Sequence, residues 1–415
     1  MKKKKILMLA DHPLSTSGVG CQARWLINSL IETGKYSFRV FGGAIKHDDY
    51  STIKVNDDFI IRPTDGFGSP DLLKLTLATE KPDALFLFTD PRFFIWVWEM
   101  EEEIHQICPI VYWHLWDNHP WPDFNRILYE STDLINCINT PTYEMVKERF
   151  PEKTNYIPHA LPENVFYPQS PSKINLSKSK LYGPRKDWFK GIWVNRNARR
   201  KHPGDILNAW KMFIDELKEK HNTDEAVLIM HTDPFDQEGP NLTKIVELYN
   251  LSNNVIFSTQ RLNFEDMNTM YNTVDFAVNI SSNEGFGLST LETMYCAKPI
   301  IALKTGGLTR QVENIHTGEH NGIALEPEVK NLVGSQMVPY IYEDHVSNET
   351  VAKAFMKMYE FGEEKRKDLG IKAREYALSE YSIANVTNMW DQTMEQTIKK
   401  FKENKDTPKY TLTTF

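Results

Sequence analysis

Cysteine is scarce in this 415-residue chain, and Cys21, Cys108, Cys137 and Cys296 stand too far apart for a metal or redox motif. Buried free thiols in a reducing compartment are the plain reading. Long apolar runs are missing too: none approaches the ~18 residues of a membrane span. The opening Met1-Lys2-Lys3-Lys4-Lys5 and the apolar residues after it imitate a signal peptide, but the run stops at Asp11-His12-Pro13. A cytoplasmic protein is therefore expected. Lys2–Lys5 permit peripheral contact with an anionic membrane, although a solubilising lead into a first strand is the simpler role. Positive charge is not in excess. The net charge of −8 gives no overall pull toward nucleic acid or acidic lipid. There is no internal repeat and no low-complexity tract. What remains is an ordinary globular composition, 41% hydrophobic and 25% charged, long enough for two domains.

The most informative stretch is residues 276–307, FAVNISSNEGFGLSTLETMYCAKPIIALKTGG. Phe276 to Ile280 is a short apolar run suited to a buried strand. The polar Ser281-Ser282-Asn283 leads to Glu284-Gly285-Phe286-Gly287, and a helical pattern follows from Leu288 to Tyr295. A second apolar run, Pro299 to Leu303, ends in Thr305-Gly306-Gly307. Strand, glycine loop, helix, strand and glycine loop make one parallel βαβ unit. A helix that starts at a glycine turn points unpaired N–H groups and partial positive charge at whatever lies in front of it, and phosphate is the usual guest. Glu284 and Glu292 frame that seat. Eight helical positions would span about 12 Å, comparable to a nucleotide sugar from hexose to ribose hydroxyls. Carboxylates accept hydroxyl hydrogen bonds and repel phosphate, so they suit the two ends while backbone amides take the middle. Gly306 and Gly307 would let a second backbone segment approach the sugar.

This stretch resembles the Glu-x7-Glu signature of the retaining glycosyltransferases of family 4, which have two Rossmann-like domains facing across a cleft (the GT-B architecture). A surface helix with two solvated glutamates is the bland alternative. The resemblance implies α/β domains over 1–168 (acceptor side) and 188–382 (donor side), a linker over 169–187, and a tail over 403–415. It also implies a last helix, about 383–402, crossing back to the first domain near Tyr381-Ser382. The Pro-, Ser- and Lys-rich composition of 168–187 itself reads as a linker.

Taken in order, the chain opens with a strand over 6–10, the loop Ser15-Thr16-Ser17-Gly18-Val19-Gly20, and a helix through Ala23, Leu26, Leu30 and Ile31. Gly18 and Gly20 match the family's first glycine loop, near the reacting sugar; read on their own they make a tight strand-to-helix turn. Further strands are expected at Phe38–Phe41, Ala84–Phe88, Ile110–Trp113 and Leu134–Ile138, whereas 42–70 show no readable order. Relatives often place a histidine near the anomeric carbon after the third of these. His114 is the candidate, ahead of Asp117 and His119, and a histidine satisfied at a strand end is its competitor. The dense tryptophans Trp96, Trp98, Trp113, Trp116 and Trp121 could stack on sugar but fit core packing better. His159-Ala160-Leu161-Pro162 stand where relatives carry asparagine-glycine-valine-aspartate.

The second half opens with a strand, Gly191–Asn195, then Arg196-Asn197-Ala198-Arg199-Arg200-Lys201-His202 and an amphipathic helix from about Asp205, its expected N-cap, through Leu217. The family places an arginine and a lysine from this loop on the donor pyrophosphate. Arg196 and Lys201 fit, with His202 where relatives have glycine. A solvated basic loop, or one gripping a nucleic-acid backbone, is the rival reading. His231-Thr232-Asp233 would line the base pocket. Arg310 stands where relatives carry a glutamate, with Glu313 three positions on. Helices are expected at 350–378 and 383–402, and the Asp48-Asp49 and Asp57-Asp58 pairs read as surface.

The resemblance thus implies sugar transfer from a nucleoside diphosphate donor with retention, no metal or other cofactor, and an acceptor left open: glycan, lipid, small molecule or modified nucleic acid. Gly285, Phe286, Gly287, Leu288, Arg196 and Lys201 would hold the diphosphate, Glu292 the ribose, and Glu284 the donor sugar. Three rivals use the same residues. They are an epimerase or hydrolase of this fold, a transferase acting on modified nucleic acid, and a non-catalytic nucleotide-sugar binder.

Overall fold

In the computed structural model, which describes residues 2–405, the apolar runs resolve into two parallel sheets wrapped by helices. The chain divides into two units: residues 2–160, 335–339 and 383–405, and residues 161–334 and 340–382. The first division falls at 160–161, ahead of the expected 168. Most of the expected tail, residues 406–415, lies outside the described residues.

The first unit holds eight strands: β1 (Lys4–Asp11), β2 (Tyr36–Gly43), β3 (Ile53–Asn56), β4 (Phe59–Pro63), β5 (Ala84–Thr89), β6 (Ile110–His114), β7 (Leu134–Cys137) and β8 (Thr154–Tyr156). They lie in the order β3-β4-β2-β1-β5-β6-β7-β8, all parallel except β3. Residues 42–70, unreadable in sequence, supply β3 and β4 at the edge. β1 and β5 are buried through Ile6–Ala10 and Ala84–Phe88, which is why they read as continuous apolar runs rather than alternating ones. The last helix, Ile383–Lys405, belongs to this unit. Trp390 packs its ring on Phe86 and Trp113, at 4.6 and 5.3 Å between centroids, and Tyr36 Oη donates to Asp391 Oδ1 at 2.7 Å. Trp98, Trp113 and Trp116 are buried in the core.

The second unit has β9 (Phe189–Val194), β10 (Ala226–His231), β11 (Val255–Ser258), β12 (Phe276–Asn279), β13 (Ile300–Leu303) and β14 (Gly322–Leu325), ordered β11-β10-β9-β12-β13-β14 and parallel throughout. Its core joins Trp193, Trp210, Phe213, Phe276 and Phe355. The amphipathic helix runs Pro203–His221, so Asp205 lies in its first turn and is not the cap. Proline takes the first helical position, where its fixed φ and missing N–H cost nothing.

Residues 169–187, expected as a linker, instead carry a helix, Pro171–Tyr182, capped by the Ser170 hydroxyl. It buries only Tyr182, whose hydroxyl lies 2.8 Å from Thr273 Oγ1, so it leaves little apolar pattern in the sequence. The helical segment expected over 350–378 is two helices, Asn348–Glu360 and Gly362–Tyr381, broken where Gly362 takes φ +68°. An antiparallel hairpin of β15 (Val329–Val333) and β16 (Ile341–His345) completes the unit.

Candidate functional site

Numbered from β9, the second sheet has the order 3-2-1-4-5-6, so its direction of winding reverses between β9 and β12. Open α/β sheets bind ligands outside the carboxyl ends of the strands at such a reversal. The loops leaving these two strands are 195–202 and 280–287.

Lys201 and Glu284 meet there in an ion pair, their side chains only 8% and 13% exposed. Glu284 Oε2 also receives Asn279 Nδ2 at 3.3 Å and Ser281 Oγ at 3.4 Å. Burial pushes the Glu284 pKa up, but the Lys201 and Arg200 charges and the bonds from Lys201 and Asn279 outweigh it, leaving it lowered. Glu284 is therefore a carboxylate held against a nearly buried ammonium. His202, just after the lysine, is left-handed at φ 52°, ψ 41°, and its Nδ1 lies 2.7 Å from Asp205 Oδ2. Glycine adopts that backbone freely, which gives a physical reason for glycine at this place in the resembling family.

Arg196 is not part of this group. It is exposed, with Nε 2.7 Å and Nη2 3.1 Å from the Asp236 carboxylate and Nη1 3.3 Å from Glu238. Asn197, buried and bonded through Nδ2 to the Pro240 carbonyl at 2.9 Å, fixes the turn that sends its neighbour that way. The cation placed beside Glu284 with Lys201 is instead Arg200, whose Nη1 donates to the Asn283 carbonyl at 2.8 Å. Sequence reasoning passed over Arg200 because three basic residues in a row carry no mark of which one turns inward.

The helix Leu288–Tyr295 starts at Gly287, which takes φ +89°, and no side chain caps it. Leu288 and Ser289 are half-buried, so the first amides stand where an anion could reach them. Buried Gln311 staples the turn in front of them: Nε2 donates to the Phe286 carbonyl at 2.7 Å and the Gly287 carbonyl at 3.2 Å, and Oε1 accepts from Thr290 Oγ1 at 2.5 Å. Gly306 and Gly307 are committed to the same turn. A Cβ on Gly306 would sit 1.9 Å from the Glu284 carbonyl oxygen, and one on Gly307 would sit 2.4 Å from Phe286 Cα. Both are buried, so the close approach they permit is to residues 284–286 and not to an open seat. Gly307 N also donates to the Glu284 carbonyl at 3.0 Å.

Glu292 lies on the same helix and accepts from the buried Tyr271 hydroxyl at 2.6 Å. Burial raises its pKa to about 7, with the Tyr271 bond working the other way. The hairpin strand β16, unread in sequence, buttresses the loop: Asp344 N donates to the Ser282 carbonyl at 3.0 Å, and Asn283 Nδ2 donates to the Tyr342 carbonyl at 2.8 Å. Arg310 is structural, pairing with Glu380 at 2.5 Å, while Glu313 pairs with Lys304 at 2.9 Å. His231 Nδ1 lies 2.9 Å from Ser258 Oγ, at the ends of β10 and β11.

The remaining expected residues lie in the first unit. Gly20 N donates to Ser17 Oγ at 3.0 Å, and a Cβ on Gly20 would sit 2.4 Å from Ser15 Oγ, so this loop is a tight turn into the helix Gly18–Glu32, with Gly18 at its exposed start. His114 is fully buried, its ring stacked on Tyr112 and its Nε2 2.8 Å from the Tyr129 hydroxyl. Burial lowers its pKa to about 3, so it stays neutral. Its Nδ1 is buried without a partner, so the ring is only half satisfied, and its complete burial does not fit a histidine meeting a sugar.

Residues 184–335 match the family model of glycosyl transferases group 1. A curated relative, the N-acetyl-alpha-D-glucosaminyl L-malate synthase of Bacillus anthracis, is 21% identical over 56% of this chain, and the match spans 61% of that synthase. Among solved structures, the sucrose-phosphate synthase of Thermosynechococcus elongatus superposes with a TM-score of 0.73 at 17% identity, over 96% of this chain and 100% of that one. Anabaena Alr3699/HepE, solved with UDP and glucose, gives 0.69 at 16% identity over 95% and 100%. Two Rossmann-like domains of GT-B type follow from these matches together with the two parallel sheets. No helix among the described residues is long and apolar enough to cross a membrane.

Proposed function

We propose, from the match of residues 184–335 to the group 1 glycosyl transferases, that this protein moves a sugar from a nucleoside diphosphate sugar to an acceptor hydroxyl. The transfer retains anomeric configuration and needs no metal ion. One observation carries the reading: Lys201, from the loop after β9, and Glu284, from the loop that opens the uncapped helix Leu288–Tyr295, are paired at the winding reversal. A helix start and an ammonium together suit a diphosphate, and both stabilise the charge that builds on it as the sugar departs.

In this reading the donor diphosphate takes Lys201 from Glu284 and lies against the amides from Gly285 to Leu288. Arg200 adds charge beside it. The freed Glu284 carboxylate accepts hydroxyls of the donor sugar, and Glu292 accepts those of the ribose. The bond from the anomeric carbon to the leaving phosphate oxygen breaks, the acceptor oxygen bonds to the same face of that carbon, and the departing phosphate takes the acceptor proton.

A thermal-shift panel of nucleoside diphosphates and their sugars tests the proposal, led by UDP-glucose because Anabaena Alr3699/HepE was solved with it. A ligand at 100 times its dissociation constant adds about 2.7 kcal/mol of stability. The expected result is a saturable shift with one base, abolished by Lys201→Gln, and sugar transfer with retention in an acceptor screen. A melting curve unmoved by every activated sugar would remove the proposal, and release of free sugar with no acceptor product would turn it into a hydrolase.

A further inference from the structure

At the opposite end of the same sheet, before the amino ends of β12 and β13, lies a cavity of about 650 Å³. It is bounded by Asp275 and Lys298 and walled by the helices Pro171–Tyr182 and Gly362–Tyr381. Its volume is that of a small-molecule site. Five cations line it, Lys178, Lys298, Arg366, Lys367 and Arg374, against the carboxylates of Asp275, Glu363 and Glu375.

Some of these charges are already engaged. Arg366 donates to the Met358 and Tyr359 carbonyls at 3.2 and 3.1 Å and stands 3.6 Å from Asp275, and Arg374 donates to the Tyr295 carbonyl. The Asp275 carboxylate also accepts from the Lys190 backbone N–H at 2.8 Å. The ammonium groups of Lys178 and Lys298, in contrast, have no hydrogen bond or ion pair with any described residue. Burial lowers the Lys298 pKa; the Asp275 and Glu363 charges pull it back without reversing it, and the neighbouring Lys178 charge adds to the fall. Two further polar atoms on the lining are buried without a partner, Arg366 Nε and Gln169 Oε1, the latter on a residue only 8% exposed.

A cavity whose two lysine ammoniums make no direct ion pair, and which leaves a guanidinium N–H unused, has a place for an anion. The orphan amide oxygen asks for a hydroxyl or protonated oxygen on the same guest, and Ile174, Ile371 and Leu378 offer an apolar wall beside it. We propose that this cavity binds a small phosphate monoester. Its oxygens lie on Lys178, Lys298 and Arg366 Nε, its protonated oxygen on Gln169, and its carbon body against the three aliphatic side chains. This site is separate from the Lys201–Glu284 pair and does not depend on the proposed transferase reading.

Calorimetric titration of the full chain with phenyl phosphate tests it, with benzyl alcohol as the neutral control and benzoate as the carboxylate control. Wild type and Lys201→Gln are expected to bind phenyl phosphate equally, Lys298→Gln at least tenfold more weakly, and the Lys178→Gln/Lys298→Gln double variant not measurably. Lys298→Gln is also expected to raise the melting temperature of the ligand-free protein, because it removes a half-buried cation that makes no hydrogen bond or direct ion pair. A purely packing role for Lys298 would lower it. Co-sedimentation with phosphatidate vesicles, lost in the double variant and without binding of the soluble ester, would assign the same phosphate chemistry to a lipid headgroup. No binding of either form, equal or tighter binding of benzoate, affinity unchanged in the double variant, or binding lost with Lys201→Gln alone would each overturn the proposal.

Discussion

Replacing Glu292 by glutamine is expected to stabilise the protein above neutral pH while loosening its hold on the donor. The carboxyl sits on the helix Leu288–Tyr295 with the Tyr271 hydroxyl 2.6 Å away, and burial raises its pKa from the ordinary 4.5 to about 7. The folded chain therefore keeps this proton up to about pH 7, whereas the unfolded chain releases it near 4.5. Between those values folding takes up a proton, and stability falls as pH rises. At about 1.4 kcal/mol per pH unit the whole span is worth about 3 kcal/mol, an upper figure because the side chain is only half-buried. Glutamine has the same shape, never ionises, and keeps an acceptor for Tyr271. Urea or thermal unfolding of wild type and Glu292→Gln at pH 5 and pH 8 reads the effect. The two should coincide at pH 5 and the variant should lead at pH 8, while its donor dissociation constant rises at least tenfold at pH 8. A variant no more stable than wild type at pH 8 would refute the linkage argument. Unchanged donor affinity would remove Glu292 from the ribose.

Other substitutions separate the remaining roles. Lys201→Gln leaves Glu284 nearly buried without its partner and should cost about 3 kcal/mol of stability at pH 7. Because the Glu284 pKa is lowered in the wild-type fold, this deficit should shrink as pH falls below about 4.5, where the unfolded chain takes up the proton before the folded one does, in paired pH-dependent melts. Arg200→Ala should weaken donor binding tenfold or more while Arg196→Ala changes it little, since only the former stands by Glu284; the reverse order in calorimetry would mean that Arg196 leaves Asp236 when the donor arrives. Gln311→Leu strips the partners from the Phe286 and Gly287 carbonyls and should cost about 2 kcal/mol, with a raised donor KM. His202→Gly relieves a left-handed residue but gives up the Asp205 contact; the two effects are each about 1 kcal/mol, so melting temperature should move little.

The sheets were legible because their strands are buried on both faces. Runs such as Ile6–Ala10 and Ala84–Phe88 then have no polar alternation to blur them, and a glycine loop followed by a helix marks the crossovers that leave β1 and β12. What escaped was structure made without apolar pattern. The helix Pro171–Tyr182 buries one residue, and the hairpin of β15 and β16 is mostly exposed, so neither leaves a period that a sequence window could register. The same reason hid the β16 backbone contacts to Ser282 and Asn283: main-chain hydrogen bonds carry no residue signature.

At the site, legibility followed chemistry that only certain residue types perform. Glu284 and Lys201 were readable through the resemblance, which marks a carboxylate and a lysine in two loops at strand ends, and the fold brings them into one ion pair. Arg196 was a fair choice among three arginines in the loop, yet the direction of each side chain depends on how Asn197 and Ala198 turn the backbone, which spacing does not encode. His114 shows the limit from the other side. Its position at the end of β6 was legible, but Tyr129, from the helix Arg126–Ser131, closes over the ring together with Tyr112 of its own strand, and burial holds it neutral. A motif can announce which residue types gather at a site; which of them pair, and which meet water, is decided by contacts the motif does not spell out. That asymmetry explains why Lys201 and Glu284, expected at opposite groups of one donor, meet in an ion pair that the sequence did not announce, while Arg196 and His114 stand apart from it.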